Sequence, residues 1–169
     1  GDNVIVRPDG EYASGTLAVT RTEDEDGNVS LTFKDRDGRT VLDRRMLNED
    51  GTRKPLDTYY VYAPFGNLLA VLPPAASDGI GTGNVDKELM DAYAYQYRYD
   101  DHDRMTGKKL PGCGWIHYAY DGNDRMVFIQ DPVQRKQGRS TFVLCDSLGR
   151  QCVTGTCSFT FPQGHNVQG

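Results

Sequence analysis

A nine-residue pattern that recurs constrains this chain more than any other feature. Tyr97-Arg98-Tyr99-Asp100-Asp101-His102-Asp103-Arg104-Met105 and Tyr118-Ala119-Tyr120-Asp121-Gly122-Asn123-Asp124-Arg125-Met126 share two spaced aromatics, an Asp and a closing Arg-Met, 21 residues apart. A shorter core, Asp-x-x-(Gly or Asp)-(Arg or Asn), also occurs at 24–28, at 35–39 (Asp35, Gly38, Arg39) and at 146–150 (Asp146, Gly149, Arg150). Residues 63–67 repeat it with Ala63 in place of the Asp, keeping Gly66 and Asn67. Self-similarity of this kind reads as a repeat architecture in which each copy is one supersecondary unit.

The chemistry of the core is that of a tight hairpin. The Asp carboxylate can accept the backbone N–H two residues on, and the fourth residue can take the left-handed conformation of a type I turn followed by a bulge. Gly does this freely, and Asp103 and Asp124 do so less readily. That register sets Tyr99 opposite Met105 and Tyr120 opposite Met126, contacts worth about 0.3–1.5 kcal/mol beyond burial. With fully buried rings, Tyr99→Ala or Tyr120→Ala would cost about 3–5 kcal/mol. The same register puts Cys145 opposite Gln151 and sends Cys152 to the other face, which disfavours a Cys145–Cys152 bridge.

The rest of the chain fits strands and turns. Alternating runs at 17–21 and 29–33, with Val41-Leu42 beyond a second turn, make a three-stranded meander over 15–46. Thr58-Tyr59-Tyr60-Val61-Tyr62 and 67–72 form a further hairpin. Residues 73–83, rich in Pro and Gly, read as a loop without regular structure. Asn84 or Asp86 can cap a short helix to about Tyr93 that buries Leu89, Ala92 and Tyr93. From there Tyr95, Tyr97 and Tyr99 fall on one face of a strand. Strands at 115–120 and 126–129 follow, Asp131-Pro132 breaks the run, and 140–145 with 150–154 make a third copy. The expectation is an all-β series of antiparallel hairpins in a curved or spiral sheet, with at most one short helix near 85–93. Its divisions are an N-terminal extension (1–14), a first hairpin group (15–72), the Pro/Gly loop (73–84), a second group (85–157) and a tail (158–169), together one structural unit. Gly1 reads as a cloning remnant of a unit excised from a longer protein.

Composition sets limits on function. Of 169 residues 10% are aromatic, with ten Tyr and six Phe, so the core should rely on rings set on pleated strands. A net charge of −5 with interspersed signs argues against a nucleic-acid surface. No apolar run is long enough for a membrane helix. Cys113, Cys145, Cys152 and Cys157 lack C-x-x-C spacing and read as free thiols, although one bridge stays open in an oxidising compartment. Open edge strands make self-association of the segment an expectation.

These residues resemble the RHS or YD-repeat family, whose signature is Tyr-x-Tyr-Asp-x-x-Gly-Arg-Leu. The matches are Tyr97-Arg98-Tyr99-Asp100 with Arg104-Met105, Tyr118-Ala119-Tyr120-Asp121 with Arg125-Met126, and Asp146-Ser147-Leu148-Gly149-Arg150. The segments 58–62, 65–68, 71–74 and 108–112 are similar to the long cell-envelope YD-repeat proteins of Bacteroides-type bacteria. The resemblance runs from 15 to about 157, with Asp for Gly at 103 and 124, Ala63 for Asp and Cys145 for Tyr as departures. It implies hairpins that, in full-length members, close into a β-shell around a C-terminal toxin or polymorphic domain, as related repeats build the barrel of the teneurins. It further implies a bacterial cell-envelope or secreted protein with no enzyme activity and no cofactor. Its partners would be the rest of the parent chain and its cargo. The Asp-based self-cleaving core of some members has no counterpart here beyond Asp131-Pro132.

Sharper readings compete with this one. Trp115, Tyr97 and Tyr118, with Tyr95, Tyr99 and Tyr120, could stack on a glycan, but their repeat-fixed positions favour a packing layer. The acidic run at 24–28 has its Gly two positions too early for an EF-hand. His102, His117 and His165 show no metal-ligand spacing. Cys113, four residues before His117, lacks the orienting groups of a thiol nucleophile.

Overall fold

A computed structural model of the chain describes residues 10–49, 52–79 and 86–161. The fold is all-β: eleven strands follow one another in chain order in one antiparallel sheet. They are β1 (Ala18–Glu23), β2 (Val29–Lys34), β3 (Thr40–Glu49), β4 (Thr52–Tyr62), β5 (Leu68–Leu72), β6 (Tyr95–Tyr99), β7 (Met105–Lys109), β8 (Trp115–Tyr120), β9 (Met126–Gln130), β10 (Ser140–Cys145) and β11 (Gln151–Cys157). Three short helices interrupt them: α1 (Pro74–Ser77), α2 (Lys87–Tyr93) and α3 (Pro132–Lys136). The chain divides into two compact units between Tyr95 and Gln96.

In the first unit, β1, β2 and β3 form the meander. The turn at 24–28 joins β1 to β2, so it lies at the opposite end of β2 from the turn at 35–39. The two share a pattern but not an edge. The core of this unit is Ala70, Leu72, Ala76, Met90 and Ala94, with Val61 and Leu89 packed against it. Small residues let α1 lie close to β4 and β5, with α2 packed against α1.

Two helices, α1 and α3, were not expected. Residues 73–79 are not a structureless loop, because Pro74 stands at the first helical position, where its fixed φ and missing N–H cost nothing. Ser77 then anchors α1 by donating to the Asp57 carbonyl at 2.9 Å. Asp86 does cap α2, accepting from the Glu88 N–H at 3.3 Å. The buried face of α2 is Met90, aligned with Ala94 one turn on, whereas Ala92 and Tyr93 are exposed. The first nine residues of the N-terminal extension, Asn84 with the rest of the loop beyond Gly79, and the tail past Phe161 with His165 lie outside the described residues.

The aromatic core is also corrected. Among the described residues Phe161 is the one aromatic that is fully buried, and the others are half-buried or exposed. In β6 the buried residue is Gln96, while Tyr95, Tyr97 and Tyr99 on the other face stay half-buried. A ring on the face of a single sheet is covered by its neighbours along that sheet and by little else.

In the second unit β6 to β11 make three hairpins. Their registers include Tyr99 opposite Met105, Tyr120 opposite Met126 and Cys145 opposite Gln151, each with a bulge just before the turn. All four cysteines are free.

Candidate functional site

The residues singled out by the repeat gather at the turn ends of the hairpins. In the turn at 100–104, the Asp100 Oδ1 accepts from the His102 and Arg104 N–H groups at 3.0 and 2.9 Å. Its Oδ2 accepts from Arg104 Nε at 2.7 Å. The turn at 121–125 repeats this, with Asp121 accepting from Asn123 N–H at 2.9 Å, Arg125 N–H at 3.0 Å and Arg125 Nε at 2.8 Å. So does the turn at 146–150, where Leu148 N–H, Arg150 N–H and Arg150 Nε lie 2.9, 2.9 and 2.7 Å from Asp146. In the other unit Asp35 accepts from Asp37 and Arg39 N–H groups at 2.9 Å each and from Arg39 Nε at 2.8 Å. At 63–67, where the Asp is missing, the backbone closes the turn, through Gly66 N–H to the Ala63 carbonyl at 2.9 Å and Ala63 N–H to the Asn67 carbonyl at 2.8 Å.

The fourth residue of each of these five turns is left-handed, with φ of +78° at Gly38, +102° at Gly66, +80° at Gly149 and +60° at both Asp103 and Asp124. Only the last two carry a side chain there, which strains the backbone.

The arginines also act beyond their own turn, which the sequence reading missed. Arg104 Nη1 donates to the Asp121 carbonyl of the next turn at 3.3 Å and meets Asp124 Oδ1 at 2.7 Å. Its guanidinium lies 5.1 Å from the centre of the Tyr120 ring. Tyr120 in turn donates its hydroxyl to the Met105 carbonyl at 2.9 Å. Two of these contacts recur in the other unit: Arg39 stands 5.4 Å over the Tyr62 ring, and the Tyr62 hydroxyl donates to the Thr40 carbonyl at 3.0 Å. In both relays the acceptor is the residue just after the Arg. Arg125 Nη1 reaches the Asp146 carbonyl at 3.2 Å, but Cys145 stands where the ring would be. The signal available in the sequence was the pairing of an Arg with a Tyr-Asp one repeat later.

The electrostatics follow the bonds. Arg125's side chain, then its backbone N–H, holds the Asp121 carboxyl below its usual range. At Asp146 the Arg150 backbone N–H leads and its side chain follows. Burial pushes Asp100 and Asp35 up, yet the backbone and side-chain bonds from Arg104 and Arg39 outweigh it and both stay lowered. The Arg104 and Arg125 pKa values are raised, chiefly by the bonds to their own aspartates.

At the other end of the hairpins in the second unit, the contacts are of a different kind. Gln130 is fully buried, and its Nε2 lies 2.9 Å from the Arg139 carbonyl, 3.1 Å from Ser140 Oγ and 3.1 Å from the Phe159 carbonyl. Ser140 Oγ donates to that same Phe159 carbonyl at 2.7 Å. Asp131 and Gln134 close a capping box on α3, and Arg135 on that helix reaches Gln130 Oε1 at 3.2 Å and the Trp115 carbonyl at 2.8 Å. Phe159 stacks on Phe128 with centroids 4.8 Å apart, and Phe161 lies 5.7 Å from the His117 ring. Burial, then the nearby Arg135 and Arg98 charges, pulls the His117 pKa down to about 4.

Of the three residues considered for ligand stacking, Trp115 is half-buried. Its ring lies 3.9 Å under the Arg98 guanidinium and packs against Gly107, where a Cβ would come within 3.2 Å of it. Tyr97 and Tyr118 are half-buried on β6 and β8. Among the described residues no helix is long and apolar enough to cross a membrane.

No family model matches the sequence, and no curated protein does. In structure the chain is similar to a chain of the Tc holotoxin pore of Photorhabdus luminescens, in a form mutated in TccC3, with a TM-score of 0.58 at 12% identity. The match covers 77% of this chain and 6% of that one. At this identity the likeness establishes a shared fold, a hairpin sheet that forms a small part of a much longer polypeptide there.

Proposed function

We propose that this chain is a non-catalytic wall segment of a larger YD-repeat protein. Its hairpins contribute to a β-shell that encloses or displays a C-terminal toxin or polymorphic domain, and the parent acts at the bacterial cell envelope or after secretion. Its partners are then the remainder of the parent chain and the cargo. The observation that carries this reading is the relay in which Arg104 and Arg125 each bond their own Asp and then the backbone of the next turn. Such a relay holds a row of hairpins in step, and it uses the repeat's charged residues for structure. The fold shared with one chain of a toxin complex supports the same reading.

A structure of the parent protein tests it. The expected result is hairpins of the same type on both sides of this segment, closing around a space that holds a C-terminal domain. A parent in which the segment is an isolated domain on linkers, enclosing nothing, would contradict it.

A further inference from the structure

The segment that follows β11 belongs to none of the described strands and is held by side chains. Phe159 and Phe161 are covered, while Ser158 and Thr160 between and beside them are exposed. Phe159 stacks on Phe128, meets Phe161 edge to face at 5.3 Å, and gives its carbonyl to Gln130 Nε2 and Ser140 Oγ. Phe161 lies over His117. Gln130 and Ser140 are fully buried. If Phe159 left, water could reach both, so lifting the segment need not orphan them.

His117 stands under this cover among groups of one sign. The charges that act on it are Arg135 on α3 and Arg98 on β6. Lys109 on β7 shares its face, opposite Trp115, and the residues opposite His117 itself are the uncharged Gly107 on β7 and Gln130 on β9. Asp131, the N-cap of α3, is taken up by the capping box, and its charge acts on Arg135. A proton on His117 therefore adds a third positive charge beside two guanidinium groups. Attraction to the Phe161 ring is the smaller effect, because that ring also keeps water from the charge.

We infer that residues 158–161 form an acid-released latch, in which protonation of His117 lifts Phe161 and Phe159 off the sheet while the hairpins beneath stay folded. With the latch docked, burial and then Arg135 and Arg98 hold His117 at about 4. With it lifted, the imidazole regains water and moves toward its ordinary value of about 6.5. The lifted state binds more protons in that window, so docking weakens as the pH falls from about 6.5 to about 4. The weakening should be about tenfold or more, short of the full difference because the guanidinium groups remain nearby. The turns outlast this step, since the Asp100, Asp121 and Asp146 carboxyls are held below their usual range. The inference does not rest on the wall reading.

The test labels the whole chain with fluorinated phenylalanine and follows each Phe by fluorine NMR. Between about pH 7 and 4.5, the Phe159 and Phe161 signals should move toward open-chain positions, while those of Phe142 on β10 and Phe33 on β2 stay in place. His117→Phe should hold the two latch signals still over that range. The reciprocal measurement is the His117 titration, read from its ring protons. Phe161→Ala should raise its midpoint from about 4 toward about 6.5. This arm decides the matter even if His117→Phe fails to fold. Latch signals that do not move, that move equally in His117→Phe, or that move together with Phe142 overturn the inference. So does a His117 midpoint that ignores Phe161→Ala.

Discussion

The two ends of the hairpins in the second unit are held together by opposite strategies. At the turn end one polar device is used three times, each copy complete within five residues and linked to the next by one Arg. At the connecting end the three links differ: a tight turn at 110–114, the helix α3, and the returning segment at 159–161. These converge on one buried node, Gln130 with Ser140. Damage at the turn end should stay local. Damage at the node should spread, because the side chain that satisfies the Arg139 and Phe159 carbonyls also positions Arg135.

The largest expected effect therefore lies at the connecting end. Gln130→Leu takes the donor from the Arg139 carbonyl and Ser140 Oγ, leaves the Phe159 carbonyl to Ser140 alone, removes the acceptor of Arg135, and should lower unfolding free energy by about 3–4 kcal/mol in a denaturant titration. A loss under about 1 kcal/mol would erase the distinction between the two ends. Next, Asp100→Ala removes three bonds in a turn that supports a neighbour and should cost about 2–3 kcal/mol, against about 1 kcal/mol for Asp146→Ala. Equal losses would mean that the following turn adds nothing. Tyr120→Ala belongs in the same range, about 2–3 kcal/mol, because its ring is half-buried rather than fully buried.

Acid should separate the two ends by pH. His117, paired with Gln130 across β8 and β9, stays neutral in the folded chain down to about 4, while the unfolded chain protonates it near 6.5. The unfolded state thus binds more protons in that window, and stability falls as pH drops from about 6.5 to about 4. Discounted for partial exposure, the loss is about 1–2 kcal/mol. The turn aspartates have lowered pKa values, so their contribution persists to lower pH and is lost below about 3.8. A flat stability profile between pH 6.5 and 4.5, or one unchanged by His117→Phe, would refute this order of failure. The smallest effect is at Asp124→Gly. Relief of the left-handed strain gains about 1 kcal/mol and loss of the exposed bond to Arg104 costs about as much, leaving a net change near zero.

The same contrast explains what could be read from the sequence. The turn end was legible because its bonds span two to four residues, so Asp, the fourth residue and Arg carry the geometry within one short word. Registers such as Tyr99 with Met105 and Cys145 with Gln151 followed from the bulge alone. The relay was not legible, because Arg104 and the Asp121 carbonyl are 17 residues apart and their meeting depends on how neighbouring hairpins lie. Gln130 gave no signal either: it meets the Phe159 carbonyl across 29 residues. The helix α1 was hidden by Pro-Pro, which reads as a breaker unless the second Pro is placed at a helix start. The abundance of Tyr suggested a ring-filled core, but a polar end on each ring and a single sheet leave most of them at the surface.

A turn Arg such as Arg104 couples its hairpin to the next one. A double-mutant cycle between Arg104→Ala and Tyr120→Ala, read by denaturant unfolding, tests it most directly. A coupling of about 1 kcal/mol is expected for this pair. Simple additivity is expected when Arg150→Ala replaces Arg104→Ala. Additivity in both cycles would contradict it.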